Sequence, residues 1–378
     1  MHSNISKMAR HLRLKLKPSS LAFRLSVTGL AMLPVLPLHA ISAKKEISQY
    51  SEVINNNKLT VVSVKSPNTV FDNGQSLHGF GYDLMRKYAK SLNVELDFKI
   101  VKDNAIALQL VADGKASMAL TNAPLEAIEE KNLSFFSATC GNMNALEQNG
   151  LDSTISLAVS NATDPIAQTA TGFTCKAKED GSIDQLASFY NHNIVEPEAW
   201  DLIERNLKLR MPIYQASFQR EAEKYDLDWH VLAAMGYQES YLKPNSISPT
   251  GVRGLMMLTN NTAKAMGVTN RNDPSQSIEG GAKYFDSLLS QYDGIALPDR
   301  AWYALVAYNM GPNALSTIQR KVQAQGNNPN EWINVYSYLK SNQSANSKYK
   351  QAVQYVTRIR AYLEHIQINH AEPEEIEV

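Results

Sequence analysis

From Lys58 onward the apolar positions change period in a regular order. Leu59-Thr-Val-Val-Ser-Val64 predicts a strand, Tyr82–Leu92 places apolar residues at helical spacing, and Val94-Glu-Leu-Asp-Phe98 alternates as a strand. Asn104–Ala112 is helical again, Asp113-Gly114 breaks it, and Ser117–Leu120 predicts another strand. A β-α-β-α-β series of this kind implies a mainly parallel sheet. Between residues 125 and 190 the patterning is weak and predicts no element. From Trp200 the signals are almost wholly helical: Asp228 suits an N-cap, Asp273-Pro274 an N-cap and first helical position, and Gly267 and Gly294 are stops. A last strong helix is expected from Ser347 to Ile366. The expected fold class is an α/β N-terminal domain followed by an all-α C-terminal domain.

The 378 residues suffice for two domains, each with its own core. Lys plus Arg and Asp plus Glu are both 37, so no overall basic field points to nucleic acid. Ahead of the strand region, Lys7, Arg10, Arg13, Lys15 and Lys17 precede the apolar run Leu21–Leu38, and small-residue endings follow at Ala40 and Ala43. This predicts a signal peptide over residues 1–43 and export to the periplasm. Arg24, Pro34 and Pro37 interrupt the run, leaving less than the roughly 20 apolar residues that span a bilayer. Residues 44–57 are polar and suggest a linker; the tail 368–378 is acidic. In an oxidising compartment Cys140 and Cys175, the only two cysteines, are expected to form a disulfide. The histidines form no metal motif such as H-E-x-x-H, and neither a metal nor another cofactor is expected.

Glu239 stands near the end of the apolar run Trp229–Ser240, and the next acidic residue is Asp273. At helical spacing it shares a face with Leu232, Met235 and Gly236, so its carboxyl should meet hydrocarbon and its pKa should rise. A carboxyl still protonated near neutral pH can serve as a general acid. On position alone, a glutamate near a helix end points more readily into solvent. What favours chemistry is the downstream text Ser248-Pro-Thr-Gly-Val-Arg-Gly-Leu-Met-Met-Leu258 and Ala307-Tyr-Asn-Met-Gly311. Glycosidases ordinarily use two carboxylates about 5 to 9.5 Å apart. Ser240–Asn272 contains no second one, although Glu279 or Asp286 could supply an acid from elsewhere.

Two family resemblances follow. Gly79-Phe-Gly-Tyr-Asp-Leu-Met-Arg-Lys-Tyr-Ala89 with Asp113-Gly-Lys-Ala-Ser-Met118 resembles the first lobe of periplasmic solute-binding proteins of the amino-acid-binding type, over residues 58–124. The chain is too short for two full lobes, so this α/β domain, taken as 58–190, is expected to be reduced. No arginine occurs between Arg86 and Arg205, so the usual clamp on a ligand carboxylate is missing. Leu84 replaces the third glycine of a dinucleotide loop.

After a connecting segment, 191–212, the helical half, 213–367, is similar to the lysozyme-like catalytic domain of soluble-type lytic transglycosylases. The resemblance rests on Leu227-Asp-Trp229, Ala233–Ser240, Ser248–Thr259 and Ala307–Gly311. It implies cleavage of the β-1,4 bond between N-acetylmuramic acid and N-acetylglucosamine in peptidoglycan, leaving a 1,6-anhydromuramic end, with Glu239 as the catalytic residue. It further implies substrate-binding roles for Ser248, Gly254, Met256, Tyr308, Asn309 and Tyr355. Met257 stands where most relatives have glutamine. The partner would be peptidoglycan glycan strands, with peripheral association at the outer membrane open. Hydrolysis by a muramidase, or wall binding and sensing without catalysis, are the alternatives.

Overall fold

In the computed structural model, which describes residues 48–72 and 75–369, the first half is built on a five-stranded sheet. The strands are β1 (Lys58–Val64), β2 (Phe71–Asp72), β3 (Leu77–His78), β4 (Glu95–Val101), β5 (Met118–Thr121), β6 (Ser134–Ser137) and β7 (Ser156–Val159). The sheet order is β4-β1-β5-β7-β6, while β2 and β3 pair separately. β1 runs parallel to β4 and β5, but β7 is antiparallel to both β5 and β6. The direction therefore reverses at β7 alone, and β6, also from the segment 125–190, runs the same way as β5. Along β1, Leu59 and Val61 enter one core and Val62 the other. Burial on both faces is what a strand inside a covered sheet requires.

The helices of this region are α1 (Gln49–Asn55), α2 (Phe80–Ser91), α3 (Asn104–Ala112), α4 (Leu125–Glu129), α5 (Met143–Glu147), α6 (Pro165–Glu179) and α7 (Ser182–Phe189). α1 occupies the stretch expected to be a linker. Its local sequence is polar, but Ser48 caps it, and Asp164 accepts hydrogen bonds from Gln49 N (2.7 Å) and Tyr50 N (3.1 Å). Asp164 also caps α6. One carboxylate thus satisfies free amides at two helix starts far apart in sequence. Cys140 and Cys175 form a disulfide joining the turn after β6 to α6. The signal peptide and residues 370–378 of the acidic tail lie outside the described residues.

The second half comprises α8 (Pro197–Lys224), α9 (Trp229–Ser240), α10 (Asn260–Met266), α11 (Pro274–Gln291), α12 (Asp299–Met310), α13 (Pro312–Ala324), α14 (Trp332–Ser341) and α15 (Ser347–Asn369). α9 is buried from Val231 to Tyr237 and packs against α8, α11 and α15.

The described residues fall in one compact unit, and a continuous core runs through both halves. At the seam the Phe189 ring meets Trp302, Trp332 and Tyr336 with centroids 5.2–5.5 Å away. Charges are buried there too. Arg86 on α2 bridges Asp83 (2.8 Å) and Asp299, the first residue of α12. Tyr190 donates to Asp83 at 2.7 Å, and Asp299 accepts from Trp332 N at 2.9 Å. Arg360 on α15 pairs with Glu364 and donates to the Asn191 carbonyl at 2.7 Å.

Candidate active site

α9 starts at Asp228, whose carboxylate accepts from His230 N, and stops at Tyr241, which takes a left-handed conformation at φ 55°. The helix therefore ends one residue after Glu239, at Ser240, leaving the glutamate in its last turn. Leu232, Met235 and Gly236 on the same face are buried, as the spacing predicts. Gly236 is needed for close approach: a β-carbon there would lie 2.9 Å from Leu255 and 3.0 Å from Phe218.

Glu239 itself is only partly exposed. Tyr355 on α15 donates to its Oε1 at 2.6 Å. Among the described residues no other side chain hydrogen-bonds the carboxyl and no cation pairs with it. Desolvation pushes its pKa up to about 7, and the Tyr355 hydroxyl, which favours the ionised form, pulls against that rise. The carboxyl is thus poised near neutrality, able to give up a proton and take one back.

The Transglycosylase SLT domain model matches residues 216–331, which hold Glu239 and Tyr308. A membrane-bound lytic murein transglycosylase F of Stutzerimonas stutzeri is 36% identical over 235 residues, covering 61% of this chain and 47% of that protein. The protein of the same description from Pseudomonas savastanoi pv. phaseolicola is 45% identical over 167 residues, covering 43% and 34%. The chain thus spans half or less of the length of the curated relatives it matches. Among solved structures, an inactive mutant of lytic transglycosylase Slt from Pseudomonas aeruginosa aligns at a TM-score of 0.34 and 18% identity, covering 61% of this chain and 38% of that one.

Around the acid, the matched segment is tied together through the loop between α9 and α10. Ser240 Oγ donates to the Leu255 carbonyl at 2.8 Å. Gly254, at φ 91°, passes so close to the Arg271 carbonyl that a β-carbon would lie 1.9 Å from it. Only glycine fits that turn. Met256 N donates to Ser277 Oγ at 3.1 Å, and Tyr308 donates to the Met256 carbonyl at 2.9 Å.

Two of the expected substrate contacts, Met256 and Gly254, belong to the framework of the loop itself. Met256 is fully buried, with its side chain against Gly281, so it anchors the loop instead of lining a groove. Gly254 is likewise a backbone device. Ser248 is half-buried, and its hydroxyl is shared with Thr250 Oγ1 at 2.9 Å while accepting from the Thr250 and Val252 amides. Among the described residues it makes no bond to Glu239. Asn309 is half-buried and makes no side-chain hydrogen bond among those residues. Glu279 pairs with Lys224, and neither it nor Asp286 hydrogen-bonds Glu239.

Sequence patterning gives no sign of Ser277, Arg271 or Tyr284. Arg271 donates to the Leu258 carbonyl at 2.8 Å, and the Tyr284 ring packs 5.2 Å from Tyr308. Nothing local distinguishes a helical serine that accepts a loop amide from one facing water. Tyr355 lies beyond the 216–331 match, and α15 brings it to the acid.

Proposed function

We propose that the chain is a peptidoglycan lytic transglycosylase that cleaves the β-1,4 bond between N-acetylmuramic acid and N-acetylglucosamine. The observation that carries this reading is a carboxyl with a pKa near 7, without a cationic partner among the described residues and held by one tyrosine hydroxyl, inside the segment that the Transglycosylase SLT domain model matches. In the proposed cycle Glu239 donates its proton to the glycosidic oxygen as the C1–O bond breaks. The muramic C6 hydroxyl then attacks C1 and returns its proton to the Glu239 carboxylate. One proton leaves and one comes back, the bond lost to the leaving sugar is replaced by the 1,6-anhydro bond, and no water enters the product. Tyr355 would hold the carboxyl in place and favour its ionised interval, while Asn309 and Ser248 would face the sugar.

The relatives carry the words membrane-bound and murein in their names, which supports a periplasmic enzyme acting on glycan strands and held peripherally at the outer membrane. Residues 58–190 would form a reduced solute-binding-like module and 213–367 the catalytic domain. Digestion of purified sacculi followed by product masses tests the chemistry. An anhydro end is lighter than a reducing end by one water, so reducing products would show a hydrolase instead. Glycan binding without turnover would favour a sensing protein.

A further inference from the structure

Helix α8 buries Ile203, Leu207, Met211, Phe218 and Ala222 on one side. On the other it exposes Leu202 (51%), Leu209 (66%) and Ile213 (67%). At about 100° per residue these three fall in one stripe along three turns of the helix. A run of open aliphatic chains on a charged surface marks an interaction face.

The charges beside the stripe are mixed at its start, where Glu198 and Asp201 are exposed next to Leu202, and of one sign from Arg205 onward. From Arg205 to Arg220 the helix carries Arg205, Lys208, Arg210 and Arg220 and no aspartate or glutamate. Arg220 is paired with Glu221, but among the described residues Arg205, Lys208 and Arg210 have no acidic partner. Within the span of the stripe, Glu204 is 3.6 Å from His365. Arg210 donates to the Tyr241 carbonyl at 2.7 Å, which sets an open aromatic ring, 54% exposed, and the neighbouring exposed Lys243 beside the same face.

We infer that this face of α8 docks on an anionic phospholipid surface. Leu202, Leu209 and Ile213 enter the boundary between headgroups and acyl chains, and Arg205, Lys208 and Arg210 lie against the phosphates. Among the described residues no helix is long and apolar enough to cross a membrane, so this is contact with one leaflet. A second copy of the chain is a poorer occupant. Three aliphatic chains fall well short of the roughly 800 Å² per partner of a stable interface. The inference rests on the peripheral location proposed above and is independent of the chemistry at Glu239.

The test is co-sedimentation with vesicles of phosphatidylethanolamine containing phosphatidylglycerol, and with vesicles of neutral lipid alone. Wild type, L209E/I213E and R205E/K208E are compared as full chains with the same N-terminus, so any contribution from the leader is common to all. Each double variant should lower partition onto anionic vesicles by roughly tenfold or more, and wild-type partition should fall with added salt. Turnover of soluble glycan fragments should be unchanged in both. Equal partition of wild type and variants, or equal partition onto neutral and anionic vesicles, would overturn the inference. So would a dimer lost in L209E/I213E without vesicle binding. If wild type binds vesicles but turns over no glycan, the chemistry fails while the docking face stands.

Discussion

The seam between the two halves and the pocket around Glu239 both take carboxyls out of water, with opposite consequences. At the seam Asp83 and Asp299 share the Arg86 cation, and Tyr190 adds a hydrogen bond. Burial still pushes the Asp83 pKa up, with Asp299 adding to it, but Arg86 opposes both effects and is itself held more firmly protonated. Among the described residues Glu239 has the burial without the cation, and a single hydroxyl as its partner. Counter-charge turns a buried carboxyl into a structural bond. Its absence leaves a proton that can be moved.

The sharpest way to break this contrast is to remove the proton. E239Q should lower turnover by roughly three orders of magnitude while leaving glycan binding intact, measured by product release and by binding of soluble fragments. Retention of most of the rate would refute the acid. The same variant carries a stability signature. Glu239 ionises at about 7 in the folded protein against an ordinary value of 4.5, so the folded state binds the extra proton between those values. Its stability therefore falls as pH rises from 4.5 through 7. E239Q should melt higher than wild type above pH 7, with the gap closing below pH 4.5.

The seam should respond in stability instead. R86M keeps much of the side-chain volume but leaves Asp83 and Asp299 without their cation, and should cost about 3 kcal/mol in denaturant titrations. A loss below 1 kcal/mol would mean that the two carboxyls do not depend on Arg86. The smallest effect is expected from Y355F, which removes the donor that favours ionised Glu239. Its turnover should drop about tenfold at most, and the alkaline limb of its pH–rate profile should move upward. An unmoved limb would show that the 2.6 Å bond does not tune the acid.

Elements with strong periodicity are legible in the residues alone. β1, α2, β4, α3 and β5 form in the predicted order, and the expected face of Glu239 is buried. The segment 125–190 is opaque because its strands are four residues each and pair antiparallel with neighbours distant in sequence. The polar stretch before Lys58 resembles a linker because the residue that completes its cap, Asp164, lies more than a hundred positions away. Met256 misleads as a substrate contact for a related reason, since its tight packing against Gly281 comes from a helix that sequence proximity does not reveal.

By itself the sequence determined which carboxyl would sit against hydrocarbon, because helical periodicity is local and Leu232, Met235 and Gly236 lie within one or two turns of Glu239. The tertiary structure decided what touches that carboxyl and what does not. Tyr355 arrives from the last helix, 116 residues on, and the cations of the seam remain paired elsewhere. A pKa depends on every group within a few ångströms, and only folding sets those distances.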